Sequence, residues 1–125
     1  MEIRNNFKKA KNKVLKEFKQ KLLKELNGNL LLVKIFGSWA TGKASLHSDI
    51  DLLIVVQKKE RYFDKIDDII TDIELELMDK YGVFISSTIY GLKEYKTLKG
   101  LPTNFMYWVE KEGINLWQAT GIRKI

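Results

Sequence analysis

Apolar residues recur at three- and four-residue steps along the first 26 residues, which is the spacing of one face of an amphipathic helix. The stripe comprises Phe7, Val14, Leu15, Phe18, Leu22 and Leu26. Lysines fall mostly on the other side of this pattern. Asn27-Gly28-Asn29 follows as a helix stop, because glycine tolerates the left-handed conformation that ends many helices. The pattern therefore predicts a helix over residues 5–26.

A short, nearly all-apolar run comes next at residues 30–36, which predicts a strand buried on both faces. Residues 49–56 predict a second strand. Residues 38–44 between them have room for only one or two helical turns, ending near Gly42. A second apolar stripe predicts a long helix from about Glu60 to Tyr81, which the following glycine ends.

The last third of the chain predicts four short elements. Residues 83–90 are rich in β-branched and aromatic residues and predict a strand. Residues 92–99 and 103–112 predict short helices, and residues 114–117 a last strand. Four aromatic side chains in this region are expected to close the core: Phe105, Tyr107, Trp108 and Trp117.

This order of elements predicts an α/β (α+β) fold, in which helices pack on a small mixed sheet and an extra amphipathic helix leads the chain. A length of 125 residues fits a single domain, with a basic leading helix over residues 1–28 and a core over residues 30–117. There are no cysteines, so disulfides and thiolate metal sites are excluded. No apolar run reaches the ~20 residues of a membrane helix and no secretory signal is evident, so the expected compartment is the cytoplasm.

The positive charge of the chain is concentrated at its start. Residues 1–26 carry nine basic and three acidic side chains, which accounts for the whole net charge of +6. Residues 60–80 are acidic. A solvated lysine face explains the basic helix, while contact with nucleic acid or an acidic partner stays an alternative.

The residues that carry candidate chemistry lie just after the first predicted strand and at the start of the second. Asp49 and Asp51 are two apart at the start of a strand, so both carboxylates project from one face. Such a pair is a hard oxygen site suited to Mg²⁺, which takes phosphates and water as its other ligands. Gly37-Ser38 ends the preceding strand, where a glycine backbone, a hydroxyl and helix amides can approach a phosphate. The sequence therefore predicts a shared metal and phosphate site.

These residues resemble the DNA polymerase beta-like nucleotidyltransferase superfamily, specifically its minimal nucleotidyltransferase branch. The family signature is Gly-Ser, ten residues, then Asp-x-Asp on a strand, and residues 37–51 match it without a gap. The resemblance implies that Asp49 and Asp51 bind Mg²⁺ and act in catalysis. It also implies that Gly37 and Ser38 hold the β- and γ-phosphates of a nucleoside triphosphate, with AMP passing from ATP to a hydroxyl.

Two departures from the family pattern bear on activity. The family has a basic residue in the turn, where this chain has Trp39 and Thr41, and Lys43 is the expected substitute as a nucleotide-binding cation. Active members also carry a third carboxylate on a later strand, and this position aligns with Ser86. Because serine is a poor magnesium ligand, catalytic activity is in question.

Alternative functions follow from these departures. A nucleotide-binding module that has lost turnover is the main one, and the resemblance implies a small HEPN-domain protein as its partner, as in toxin–antitoxin pairs. Nucleic-acid binding by the basic helix and a homo-oligomer stay open. A Walker A loop is disfavoured, since Ala44 replaces the magnesium-binding hydroxyl and the next strand begins too soon for the required helix.

Overall fold

The computed structural model describes residues 2–42, 44, 49–59 and 64–120, with the backbone alone at residues 2–8 and 10. Five α-helices and four strands form in the described part of the chain, with a 3-10 turn at Asn27–Asn29. In chain order they are α1 (Glu2–Leu26), β1 (Leu30–Phe36), α2 (Ser38–Thr41), β2 (Ile50–Val56), α3 (Lys65–Tyr81), β3 (Ile85–Gly91), α4 (Leu92–Lys99), α5 (Asn104–Glu112) and β4 (Ile114–Gln118). None of the helices described is long and apolar enough to cross a lipid bilayer.

The four strands form one mixed sheet in the order β3-β2-β1-β4. β1 pairs antiparallel with both β2 and β4, whereas β2 and β3 are parallel and are connected through α3. β1 and β2 are central, which explains why their sequences are almost wholly apolar. The predicted α+β fold with a mixed sheet and a leading helix is confirmed.

Helices cover both faces of the sheet. On one face, α1 and α3 pack over apolar side chains of all four strands, with Phe18, Leu22 and Leu77 fully buried. On the other face, α4 and α5 enclose a smaller core around Leu53, Val55 and Tyr95. Successive residues of β2 point alternately into the two cores. The odd-numbered residues of this strand, including Asp51, therefore face the α4 and α5 side.

The basic and acidic helices predicted from the sequence pack against each other. Two ion pairs join α1 to α3: Lys21 to Glu76 at 2.9 Å, and Lys80 to Glu17 at 2.8 Å. Both pairs are solvent-exposed to a large extent, so each contributes little stability. The basic residue belongs to α1 in the first pair and to α3 in the second, so these two pairs do not account for the charge separation along the sequence.

Three sequence-based expectations need correction. The left-handed residue after α1 is Asn27, with φ of 49°, and not Gly28. The long helix begins at Lys65, because the Asp64 side chain accepts hydrogen bonds from the amides of Ile66 and Asp67 as an N-cap. Residues 60–63 of the predicted helix lie outside the described part of the chain.

The third correction concerns the aromatic residues of α5. Phe105, Tyr107 and Trp108 are 40–53% exposed and do not close the core. Met106 and Val109 are the buried residues of this helix, and three-residue spacing places them on one face. The aromatic positions fall on the other faces for that reason. Trp117, by contrast, packs against the core beneath α1 and α3, as expected.

Candidate functional site

At the candidate site, the turn after β1 lies directly against the start of β2. Phe36, the last residue of β1, is the register partner of Asp51 on β2. Gly37 follows with φ of 72° and ψ of −153°, a backbone conformation that is essentially restricted to glycine. A Cβ built on Gly37 would lie 2.6 Å from Oδ2 of Asp51. The predicted glycine turn and the predicted carboxylate are therefore in van der Waals contact.

The turn continues into the short helix α2, which starts at Ser38. The amides of Ala40 and Thr41 donate to the carbonyl of Gly37 at 3.1 and 3.3 Å, so the turn is closed by its own backbone. Gly42 ends the helix in the left-handed conformation. The expected short helix is confirmed. Ser38 directly follows Gly37, the residue that contacts Asp51.

The two aspartates lie close enough to influence each other. Burial raises the pKa of Asp51 above its ordinary value, and the negative charge of Asp49 raises it further. Asp49 itself is exposed, immediately before β2 begins. A bound cation would offset the repulsion between the two carboxylates. Oxygen donors of this kind match the preference of Mg²⁺, so the residues present fit that ion.

The third position of the expected ligand set is occupied by a hydroxyl. β2 and β3 are parallel, and Ser86 is the register partner of Asp51. Register partners on neighbouring strands project from the same face of a sheet, so the exposed Ser86 side chain lies beside the Asp51 carboxylate. Within residues 9–42, 49–59 and 64–120, no group of three or more acidic or histidine side chains is arranged to hold a metal ion.

One residue of the site was missed by the sequence analysis. Lys11 of α1 is only 3% exposed, its Nζ lies 5.2 Å from the centre of the Trp39 ring, and it interacts with the charge of Asp49. Burial lowers the pKa of Lys11 and the Asp49 charge partly offsets this effect. The signal was present in the sequence: Lys11 lies four residues before Leu15, within the apolar stripe of the leading helix.

Trp39 packs partly buried against the core, as α2 folds back over the sheet. Its ring therefore serves packing and the contact with Lys11. Lys43, the expected nucleotide-binding cation, lies outside the described residues.

A second perturbed carboxyl lies away from the site. Burial raises the pKa of Glu74 on α3 to about 7, and the Ser87 hydroxyl offsets part of this rise. Ser87 follows Ser86 on β3, so it points to the opposite face of the sheet, towards α3. Glu74 is therefore a titrating group of the core beneath α3, separate from the aspartate pair.

The chain is similar to known proteins in sequence and in fold. A family model described as "Polymerase beta, Nucleotidyltransferase" matches residues 12–119. Two proteins of Methanocaldococcus jannaschii, both described as candidate protein adenylyltransferases, are similar in sequence. One is 37% identical over 79 residues, which are 62% of this chain and 53% of that protein. The other is 34% identical over 103 residues, which are 82% of this chain and 95% of that protein. The chain thus spans about half the length of the first relative.

Among solved structures, a crystal structure of a toxin–antitoxin with AMP-PNP superimposes on this chain with a TM-score of 0.53. The sequence identity is 19%, and the superposition covers 83% of this chain and 73% of the other. At this identity the likeness shows a shared fold.

Proposed function

The chain belongs to the minimal branch of the polymerase beta nucleotidyltransferase family, and we propose that it binds a magnesium–nucleotide complex and transfers AMP from ATP to a hydroxyl acceptor. The observation that carries this proposal is the contact between Gly37 and Asp51. It brings a phosphate-compatible backbone and a metal-binding carboxylate to one point, beside a second carboxylate on Asp49.

Each residue has a defined part in the proposed reaction. Asp49 and Asp51 would hold Mg²⁺, which would neutralise charge on the triphosphate. Gly37 and Ser38 receive the β- and γ-phosphates through the backbone and the serine hydroxyl. The acceptor oxygen attacks the α-phosphorus, the bond from this phosphorus to the bridging oxygen breaks, and pyrophosphate leaves. Catalysis of this type depends mainly on positioning and electrostatic stabilisation.

The names of the relatives favour a protein side chain as the acceptor, since the two M. jannaschii proteins are described as candidate protein adenylyltransferases. Ser86 cannot take up the proton of the acceptor hydroxyl as a carboxylate would, and in the proposed reaction this proton passes to solvent. We therefore expect slow turnover.

The test is transfer of label from α-labelled ATP to candidate protein acceptors, together with binding of magnesium–ATP measured by calorimetry. Asp49→Asn should abolish both. Asp72→Asn is the matched control, because Asp72 is an exposed aspartate on α3, outside the site. Neither transfer nor binding by the natural chain would refute the proposal.

A second candidate function is a catalytically impaired nucleotide-binding partner, or antitoxin, of a HEPN-domain protein. Ser86 in place of a carboxylate supports it, as does the exposed aromatic surface formed by Phe105, Tyr107 and Trp108 on α5. Contiguous exposed aromatic residues are typical of protein–protein contacts. Co-purification with a HEPN-domain protein, combined with nucleotide binding and no transfer, would favour this function over the first.

A further inference from the structure

Lys11 is the only charged side chain that is buried in the part of the chain whose side chains are described. Lys11 lies on the apolar stripe of α1, at a position where a leucine or methionine is expected. Its neighbours along that stripe, Val14 and Leu15, are core residues. Taking an ammonium group out of water is expensive unless opposite charge or polarisable groups compensate. A lysine at this position therefore indicates a specific role for its charge.

Two groups that compensate the Lys11 charge belong to the candidate site. The Trp39 ring lies 5.2 Å from Nζ, within the range of a cation–π interaction, and Trp39 is the residue after Ser38 in the phosphate-facing helix α2. The negative charge of Asp49 acts on the same ammonium. Lys11 thus connects the leading helix to one proposed metal ligand and to the proposed phosphate turn.

We propose that Lys11 is a fixed cation of the site, a positioning residue that makes the site favour a metal ion already bound to nucleotide over the bare metal ion. This inference rests on the proposed nucleotide binding. Asp49, Asp51 and Lys11 together carry a charge of −1, whereas the aspartates alone would carry −2. A bare divalent cation is therefore attracted less strongly, while the negatively charged triphosphate is attracted more strongly.

The opposite signs of these two effects separate the proposal from a purely structural role. If Lys11 only supported the packing of α1, its replacement would loosen the site and weaken the binding of every ligand. If the charge of Lys11 sets the relative affinity of the site for cations and anions, removal of that charge must strengthen the binding of a cation and weaken the binding of an anion. No loss of packing can produce both shifts at once.

The experiment compares the natural chain with Lys11→Met, which keeps the length and apolar packing of the side chain, and with Lys11→Arg, which keeps the charge. Mn²⁺ is the probe for the bare ion, measured by electron paramagnetic resonance. ATP in EDTA and magnesium–ATP are measured by calorimetry. For Lys11→Met we expect Mn²⁺ to bind roughly three- to tenfold more tightly and ATP in EDTA to bind weaker by a similar factor. Lys11→Arg should stay near the natural values.

Lys11→Gln provides the same comparison if the methionine variant does not fold, and it should shift both affinities in the same directions. Weaker or unchanged binding of both probes in the neutral variants would overturn the role of Lys11 while leaving nucleotide binding intact. A natural chain that binds neither Mn²⁺ nor nucleotide would instead overturn the proposed function, and this inference with it.

Discussion

Asp51 and Ser86 are register partners on the parallel strands β2 and β3, so a carboxylate and a hydroxyl stand side by side on one face of the sheet. A carboxylate at position 86 would complete a set of three acidic ligands with Asp49. Ser86→Asp therefore tests whether the missing third carboxylate limits the rate of transfer.

We expect Ser86→Asp to raise the rate of AMP transfer by roughly tenfold or more, because a third carboxylate supplies a metal ligand and a proton acceptor. The measurement is the initial rate with α-labelled ATP. Ser86→Asn is the matched control, since it has the same shape without the charge. Equal rates for the two variants would mean that the limitation on turnover lies elsewhere.

Gly37→Ala should lower stability by about 1–3 kcal/mol and abolish nucleotide binding, because the residue combines a glycine-only conformation with contact to Asp51. Urea denaturation and calorimetry measure the two effects. Gly28→Ala is the control: a Cβ there has no atom within 4 Å, and its φ is not positive. This control should change stability by no more than about 0.5 kcal/mol.

Asp51→Asn should make the metal-free protein more stable at neutral pH. Burial and Asp49 raise the pKa of Asp51 in the folded chain, so ionisation of this group costs stability as the pH rises through that pKa. The asparagine removes this cost. Thermal denaturation in EDTA should show a higher Tm for the variant at pH 8, and no such difference well below the ordinary aspartate pKa. A lower Tm at pH 8 would contradict the repulsive role assigned to the pair.

Glu74 predicts a second dependence of stability on pH. Its pKa is about 7 in the folded chain against an ordinary value of 4.5, so the protonated form is favoured by folding. The contribution of this group is complete below pH 4.5 and is lost as the pH rises through about 7. We expect Glu74→Gln to stabilise the protein relative to the natural chain at pH 8 and to have little effect at pH 4.5.

Urea denaturation at the two pH values tests the Glu74 prediction. Asp68→Asn, which removes an exposed carboxylate from the same helix, is the control for general charge effects. A pH dependence that is the same in the natural chain and in Glu74→Gln would refute the assignment.

The central strands and the site motif could be predicted from the sequence for a physical reason. β1 was predicted at its observed bounds because a strand buried on both faces has a continuous apolar sequence. The closeness of Gly37 and Asp51 follows from the antiparallel pairing of β1 and β2, which are consecutive strands of the sequence. These features are local, and local patterns are what a single sequence expresses directly.

Other features depend on contacts between distant parts of the chain and could not be predicted in this way. The exposure of Trp108 was missed because aromatic content is a poor guide to burial when the helix face is set by Met106 and Val109. Lys11 was included in the lysine face that was predicted to be solvated, although it lies on the apolar stripe of the helix and most of the other lysines do not. Its proximity to Asp49 depends on how α1 lies across the sheet, which no local pattern specifies.

The pairing of β1 with β4 has a consequence for how the protein folds. β1 holds Gly37 at its end and lies between β2 and β4, and β4 reaches only to Gln118. During synthesis on the ribosome, one edge of β1 therefore has no partner until about 80 further residues have been added. Contacts of such long sequence separation slow folding and leave a strand edge open to other chains. We therefore expect this edge of β1 to stay exposed in a nascent chain until β4 has emerged.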